Sequence, residues 1–472
     1  MPSSTQLAII GAGPGGYAAA FYAADLGMQV TLIDPSENPG GVCLYRGCIP
    51  SKALLHVADV LNEAKHADAW GVTFGAPQID LERLRGFKAR VVTQLTGGLG
   101  QLSKQRKITY MRGTAAFTDA TTLEVTREDG AKEPVTFEHA IIATGSHPAT
   151  VPGLTIDSAR LMDSTSALEL PDIPKSMLVV GGGYIGLELG SVYAALGTKV
   201  TVVEMTGGLL PGADRDLVTV LAKRIESICE AVLLNTKVVG MKEQKNGIVV
   251  TFEGELEKKQ QTFDRVLVSI GRKPNPVPGI ATTRVAVTDR GFIEVDEARR
   301  TAEPTIYAIG DIVGEPMLAH KASHEGRVAV ESIAGGKVAF EPLAIPAVVF
   351  TDPELAWCGL TESDAQKQKR EVVVARFPWG ASGRALTLDR PDGMTKLVLD
   401  PKTERVLGVG IVGRGAGELI AEGVLAVEMG ATATDVKLSI HAHPTLSETV
   451  MESAEVFFGH ATHVYRPRKK GA

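Results

Sequence analysis

Two stretches of this chain repeat one another. Residues 7–34 read LAIIGAGPGGYAAAFYAADLGMQVTLID, and residues 177–204 read MLVVGGGYIGLELGSVYAALGTKVTVVE. Gly11, Gly13 and Gly16 fall on Gly181, Gly183 and Gly186 without a gap, and Asp34 falls on Glu204: 181 − 11, 183 − 13, 186 − 16 and 204 − 34 all give 170. One G-x-G-x-x-G is a weak signal. Two copies, each after an apolar run and each closed by an acid, are hard to obtain by accident. In each, a buried parallel strand (Leu7–Ile10; Leu178–Val180) enters a turn whose first glycine permits the reversal. The second lets a pyrophosphate approach the N–H groups of the helix that follows, and the third lets helix and strand pack closely. The next strand (Val30–Ile33; Val200–Val203) ends in an acid that can bind ribose hydroxyls. At Glu204 that acid repels a 2′-phosphate and favours NAD over NADP. The competing reading is a pair of glycine-rich turns with nothing bound. Two dinucleotide sites on one chain suit a resident flavin and a visiting nicotinamide; the fingerprints alone leave open which holds which.

Length and charge limit the rest. A chain of 472 residues suits two to four domains. Lys and Arg number 49 against 55 Asp and Glu, a net −6 that argues against nucleic acid or an anionic membrane as partner. Leu7 to Leu26 is apolar enough to imitate a signal sequence, but the first basic residue is Arg46, and glycines and a proline interrupt the run. The expectation is a cytoplasmic protein with no cleavable leader and no transmembrane span. Four cysteines are too few for a disulfide scaffold.

Two of those cysteines lie in GGVCLYRGCIPSK, residues 40–52. In an ideal helix, positions i and i+5 have Cα atoms about 8.6 Å apart, beyond the roughly 7 Å limit for a disulfide. Bridging Cys43 and Cys48 therefore needs a distorted backbone, and Gly47 permits one. So small a loop adds little stability, which points to redox exchange. Cys48 opens a helix with Pro50 in its first turn and Arg46 and Lys52 nearby, a setting that favours thiolate. The alternatives are two unpaired thiols or half of a zinc site, but Cys229 and Cys358 lack metal-like spacing and read as small buried apolar residues, so no metal is expected. Strand-like runs ending in Ala143-Thr144-Gly145 and Ile309-Gly310-Asp311 add further turns suited to a cofactor, with Asp311 placed to accept from a polyol hydroxyl or to serve as a turn aspartate.

GGVCLYRGCIPSK, the paired fingerprints, IATGS, IGRKPN, IYAIGD, MLAHKA and the terminal HAHPTLSE together resemble the FAD-dependent pyridine nucleotide–disulfide oxidoreductases over nearly the whole chain. Within them the pattern is most similar to the branch that oxidises protein-bound dihydrolipoamide with NAD+. The resemblance implies an α/β fold of two Rossmann-like dinucleotide-binding domains plus a C-terminal α+β dimerisation domain. Their bounds would be 1–148 and 273–345 for the FAD domain, 149–272 for the NAD domain inserted in it, and 346–472 for the interface domain. Strand-like runs at Val372–Phe377, Lys396–Leu399 and Val406–Val412 and a helix-like Glu418–Glu428 fit that third domain.

The resemblance also assigns residues. FAD would take Gly11, Gly13, Gly16 and Asp34, Lys52 near the flavin N5, Ala115, Thr144, Gly145, Ser146, Asp311 and the run Met317, Leu318, Ala319, His320. NAD would take Gly181, Gly183, Gly186, Glu188, Glu204, Val238 and Gly271, and Lys52 would pair with Glu188 beside the flavin. Cys43 would exchange with the substrate dithiol. Cys48 would face the flavin as thiolate, and electrons would pass from the disulfide to FAD and as hydride to NAD+. His443 would be the base, oriented by Glu448, and would reach the thiols from the other subunit of a homodimer. Thr445-x-x-Glu448 also reads as a capping box, and His441 as a supporting histidine. Lipoyl domains of a 2-oxoacid dehydrogenase complex, or the glycine-cleavage carrier, would be the partners. Tyr45 and Arg46 stand where many relatives carry Asn and Val, which leaves substrate access open. The last residues hold no cysteine pair of the mercuric reductase kind, and Glu204 stands where glutathione reductases are basic. Those two activities are the alternatives, together with an NAD-binding flavoprotein scaffold whose cysteines are inert.

Overall fold

The computed structural model describes residues 3–151 and 153–465. Strands Thr109–Arg112, Val30–Asp34, Ser3–Ile10, Lys132–Ile142, Thr122–Thr126 and Thr114–Asp119 lie in that order in one sheet, and Ile306–Ala308 also pairs with Lys132–Ile142. The central strands are parallel, with Leu7 beside Val30 on one side and His139 on the other. Leu7, Ile9 and Leu32 are fully buried against helices Pro14–Asp25 and Ala319–Ile333, whereas Ala8, Ile10 and Ile33 on the other face pack with strands Thr114–Asp119 and Thr122–Thr126. The second sheet repeats the plan: Ala231–Leu233, Lys199–Val203, Ser176–Val180, Arg265–Val268 and Leu161–Met162, all parallel. Where the chain passes between the two sheets, Ser146–Pro148 pairs antiparallel with Arg272–Pro274.

A third sheet is antiparallel, in the order Ala347–Val349, Glu354–Gly359, Val406–Gly413, Met394–Leu399, Val373–Pro378. The expected strands at 372–377, 396–399 and 406–412 are there within two residues, and the expected helix begins two residues early, as Ala416–Glu428. Its first two strands escape sequence reading, since runs this short carry little periodicity. Cys358 is buried as expected, and burial raises its thiol pKa to about 12. Cys229 is only half-buried, at the end of helix Arg215–Ile228; burial raises it to about 11.

The second and third units are bolted together by charge. Lys396, 1 % exposed, places its Nζ 2.7 Å from Asp214, 2.7 Å from Asp216 and 3.4 Å from Glu362. Asp214 also accepts from the N–H groups of Glu362 and Ser363 at 3.0 Å. Burial pushes the Asp214 carboxyl up, but the Lys396 and Ser363 hydrogen bonds outweigh it and bring it down to about 2. Its contribution to stability is therefore present above the ordinary aspartate range and is lost as pH falls towards 2. These three acids would sit close enough to share a cation, and the Lys396 ammonium is that cation. Lys396→Met leaves Asp214 without its cation and Asp216 and Glu362 with Arg376 alone. It is expected to cost on the order of 3 kcal/mol, read as a lower thermal midpoint.

Candidate active site

Both fingerprint turns are built by the same close approaches. A Cβ on Gly11 would lie 2.4 Å from Ala143 O, and one on Gly181 would lie 2.6 Å from Ser269 O. One on Gly16 would lie 1.9 Å from Gly11 O, and one on Gly186 would lie 2.3 Å from Gly181 O, which is why helix and strand can touch only through glycine there. Gly13 and Gly183 instead face open space, with nothing within 4 Å, at the helix N-termini where a phosphate would approach. The acids repeat too. Asp34 accepts from Ala12 N–H at 2.8 Å and Ser36 N–H at 2.9 Å; Glu204 accepts from Gly182 and Thr206, both at 2.8 Å. Ala12 and Gly182, like Ser36 and Thr206, are again 170 apart. Each carboxylate thus braces its own turn and still has lone pairs for a ribose.

A cavity of about 470 Å³ starts at the first fingerprint and runs to the cysteines. Gly11, Gly13, Asp34, Cys43, Cys48, Lys52, Ala115, Thr144, Gly145, Ser146, Glu188, Asp311, Met317 and Ala319 line it. Thr144 Oγ1 is buried there with no partner among the described residues, as a cradle for a polar cofactor would leave it. The residues present fit a dinucleotide that ends in a flavin. Three sites expected for FAD lie elsewhere. Gly16 packs helix on strand, Leu318 precedes helix Ala319–Ile333, and exposed His320 bonds Pro346 O at 2.7 Å. On the other fingerprint, Val238 is a core side chain rather than an open one, while Gly271 faces open space.

Sequence reasoning missed Arg272. Its Nε donates to Ser146 Oγ at 2.7 Å and its Nη2 to Ser146 O at 2.6 Å, while Ser146 Oγ donates to Asp311 Oδ2. Asn275 Nδ2 donates to Thr144 O at 2.7 Å. The signal was IGRKPN, whose polar side chains hold the cavity wall from the far side of the chain crossing.

The cysteines sit on two helices, not one. Gly41–Arg46 carries Cys43, Cys48–His66 begins with Cys48, and Gly47 between them has φ −142 and ψ −113. That break brings the sulfurs within hydrogen-bond reach as free thiols. The hydrogen bond from Cys43 and the charge of Lys52, against the opposing effect of burial, lower Cys48 to about 7. The same hydrogen bond, with burial, holds Cys43 as thiol well above its ordinary range. Lys52, not Arg46, is the cation acting on Cys48. Lys52 Nζ lies 2.8 Å from Glu188 Oε2 and 4.5 Å above the Phe350 ring. Glu188 is 3 % exposed, and its Oε1 accepts Phe350 N–H at 3.0 Å, so one carboxylate joins all three units. Phe350 has no sequence signal. Tyr45 is tied down, its hydroxyl donating to Asn38 O at 3.0 Å.

His443 Nδ1 lies 3.0 Å from Glu448 Oε1. Glu448 Oε2 accepts Thr445 N–H at 2.8 Å, but Thr445 Oγ1 donates back to Ala442 O, so the expected capping box is only half formed and helix Glu448–Phe458 starts later. Burial raises the Glu448 carboxyl, and Thr445 N–H and His443 outweigh it, leaving it below the ordinary range. His441 is the supporting histidine, pinned to Glu422 at 2.7 Å. The His443 side chain is 75 % exposed and does not line the cavity that holds its own chain's cysteines.

Residues 5–326 match the family described as pyridine nucleotide-disulphide oxidoreductase, and residues 345–454 match the dimerisation domain of that family. The chain is 49 % identical to dihydrolipoyl dehydrogenase of Haemophilus influenzae, covering 99 % of this chain and 98 % of the relative. It is 46 % identical to dihydrolipoyl dehydrogenase of Geobacillus stearothermophilus, covering 98 % and 97 %. Its structure is similar to the crystal structure of LpdA from Mycobacterium tuberculosis, with a TM-score of 0.88 at 26 % identity over 96 % of this chain and 99 % of that one. It is also similar to the HOCl-induced flavoprotein disulfide reductase RclA of Escherichia coli in its Cu(II) complex, with a TM-score of 0.85 at 28 % identity over 96 % and 99 %.

Proposed function

The chain belongs to the pyridine nucleotide–disulphide oxidoreductases and carries their dimerisation domain, and on that premise we propose the following assignment of its parts. The reaction is that of a dihydrolipoyl dehydrogenase: a dihydrolipoyl dithiol is oxidised to the disulfide and NAD+ is reduced. FAD and NAD are the cofactors. FAD belongs to the first fingerprint, within 1–148 and 273–345, and NAD to the second, within 149–272. The observation that supports this order is the continuous cavity from Gly13 to Cys48, which passes the unpartnered Thr144 hydroxyl on the first fingerprint's side.

The chain's own groups divide the work. With Cys43 and Cys48 bridged, one substrate thiolate attacks the Cys43 sulfur. A substrate–Cys43 bond forms, the Cys43–Cys48 bond breaks, and Cys48 leaves as thiolate. The second substrate sulfur displaces Cys43 and closes the product disulfide. Two protons leave the dithiol, so a base is required. Cys43 is bonded first to Cys48 and then to the substrate, so it has no free sulfur to take these protons; His443, oriented by Glu448, is the base. FAD, held on the first fingerprint's side of the cavity, would supply the two-electron acceptor between the cysteines and NAD+; of the two protons leaving the dithiol, one would go with the electron pair to NAD+ and one to water. Lys52, fixed by Glu188 and Phe350, holds a positive charge beside Cys48.

The reading extends to a homodimer. Because His443 is exposed and off its own chain's cavity, it is assigned to the site of the partner subunit. Leu425, Met429, Leu438 and Ile440 of the third unit lie exposed and suit an interface. Lipoyl domains, as mobile carriers of the dithiol, are the partners. No helix among the described residues is long and apolar enough to cross a membrane, and a cytoplasmic location is assigned.

Steady-state rates test the assignment: dihydrolipoamide with NAD+ is turned over, and glutathione disulfide with NADPH is not. The reverse preference overturns it. Glu204→Arg is expected to shift NAD over NADP selectivity by roughly 10–100-fold, and an unchanged ratio removes Glu204 from the ribose site.

A further inference from the structure

The cavity ends on a short turn, Gly310–Val313, that presents Asp311. Behind it lies an acid with no part in the reaction above. Glu325, on helix Ala319–Ile333, is 0 % exposed. Its Oε2 accepts Gly310 N–H at 2.7 Å, and its Oε1 accepts from Arg299 Nη1 at 3.1 Å and Lys321 Nζ at 3.0 Å. A carboxylate so buried is costly unless both oxygens are hydrogen-bonded and its charge compensated; here both conditions hold. Arg299 has a left-handed φ of +66, and its guanidinium lies 5.1 Å from the Phe340 ring. A non-glycine residue keeps such a backbone only where its surroundings hold it.

The turn is held at both ends, Gly310 by Glu325 and Gly314 by Lys321, whose Nζ donates to Gly314 O at 3.3 Å. The same helix braces the opposite end of the cavity. Ser323 Oγ donates to Pro14 O at 3.1 Å, and a Cβ on Gly326 would lie 2.9 Å from Gly15 O. One helix therefore sets the spacing between the phosphate-binding turn and Asp311.

We propose that Glu325 is a positioning residue for FAD: by holding Gly310 N–H it fixes the turn that aims Asp311 at the cofactor, while Arg299 and Lys321 compensate its charge. The proposal rests on the reading that FAD occupies the first fingerprint's cavity.

The test is FAD release from the holoenzyme in mild chaotrope, followed by recovery of flavin fluorescence, in Glu325→Asp, Asp311→Asn and the double variant. Glu325→Asp keeps the charge balance but withdraws the carboxylate from Gly310. It is expected to speed release about tenfold, the worth of one lost hydrogen bond. Asp311→Asn should do the same, and the double variant should be no faster than Asp311→Asn alone, because Glu325 acts through Asp311. Wild-type release in Glu325→Asp overturns the proposal, as do effects that multiply to about a hundredfold in the double variant. If Glu325→Asp does not fold, Lys321→Met, which frees Gly314 and removes one of the two cations paired with Glu325, replaces it: release faster than wild type that is not increased further by Asp311→Asn supports the proposal, and wild-type release, or effects that multiply with Asp311→Asn, overturns it. Unchanged release in Asp311→Asn itself would instead overturn the placing of FAD.

Discussion

Dimers reassembled from equal amounts of Cys48→Ser and His443→Gln protomers should recover about a quarter of wild-type dihydrolipoamide turnover, although each parent dimer is nearly inactive. His443→Gln removes a general base, worth typically 10²–10⁴ in rate, and leaves the flavin site untouched, so transfer from NADH to an artificial acceptor is retained. Cys48→Ser removes the redox pair itself. In a symmetric dimer whose sites each take cysteines from one chain and His443 from the other, a mixed dimer has one intact site and one doubly damaged site. Half of randomly paired dimers are mixed, which gives about one working site in four. If His443 served its own chain, every site in the mixture would carry one lesion and nothing would be recovered. The experiment needs only turnover before and after reassembly. No recovery would sink the shared site, and His443→Gln with full activity would remove the histidine from the reaction altogether.

Cys48→Ser alone should abolish dithiol-driven NADH formation, by on the order of 10⁴ or more, as expected when a residue that forms and breaks the covalent bond is lost. Two further readings distinguish this from a general collapse. The variant should still bind FAD and titrate one accessible thiol fewer than the wild type, with Cys43 and half-buried Cys229 left. In the wild type, reduced with substrate, alkylation of the Cys48 side should fall as pH drops below about 7, because that is where its thiolate is protonated. The Cys43 thiol is held above its ordinary range by its hydrogen bond to Cys48, and Cys48→Ser removes that restraint, so Cys43 should become more reactive. A Cys48→Ser protein that still oxidised the dithiol would remove the disulfide from the mechanism and leave the cysteines as inert thiols.

The features legible in the chain are those that one residue type and one spacing decide. Gly11 and Gly181 must be glycine because a carbonyl lies where Cβ would be, and that requirement is written twice, 170 residues apart. Asp34 and Glu204 close each copy at the same distance, and the C-x4-C pair with Gly47 announces a backbone break. Leu318 and His320 do not line the cavity and Val238 is a core side chain, since a motif marks a segment of backbone and does not say which way each side chain turns.

From the sequence alone came the two nucleotide folds, the redox pair and the acid that closes each fingerprint, because each follows from local sterics and charge. Only the tertiary structure decided that Arg272 holds Ser146, which in turn holds Asp311, that Phe350 clamps Glu188, that Glu325 stands behind Gly310, and that His443 lies off its own chain's cavity. Residues 146 and 272, or 188 and 350, are brought together only by packed sheets and a crossing chain, and no period in a sequence encodes a contact of that length.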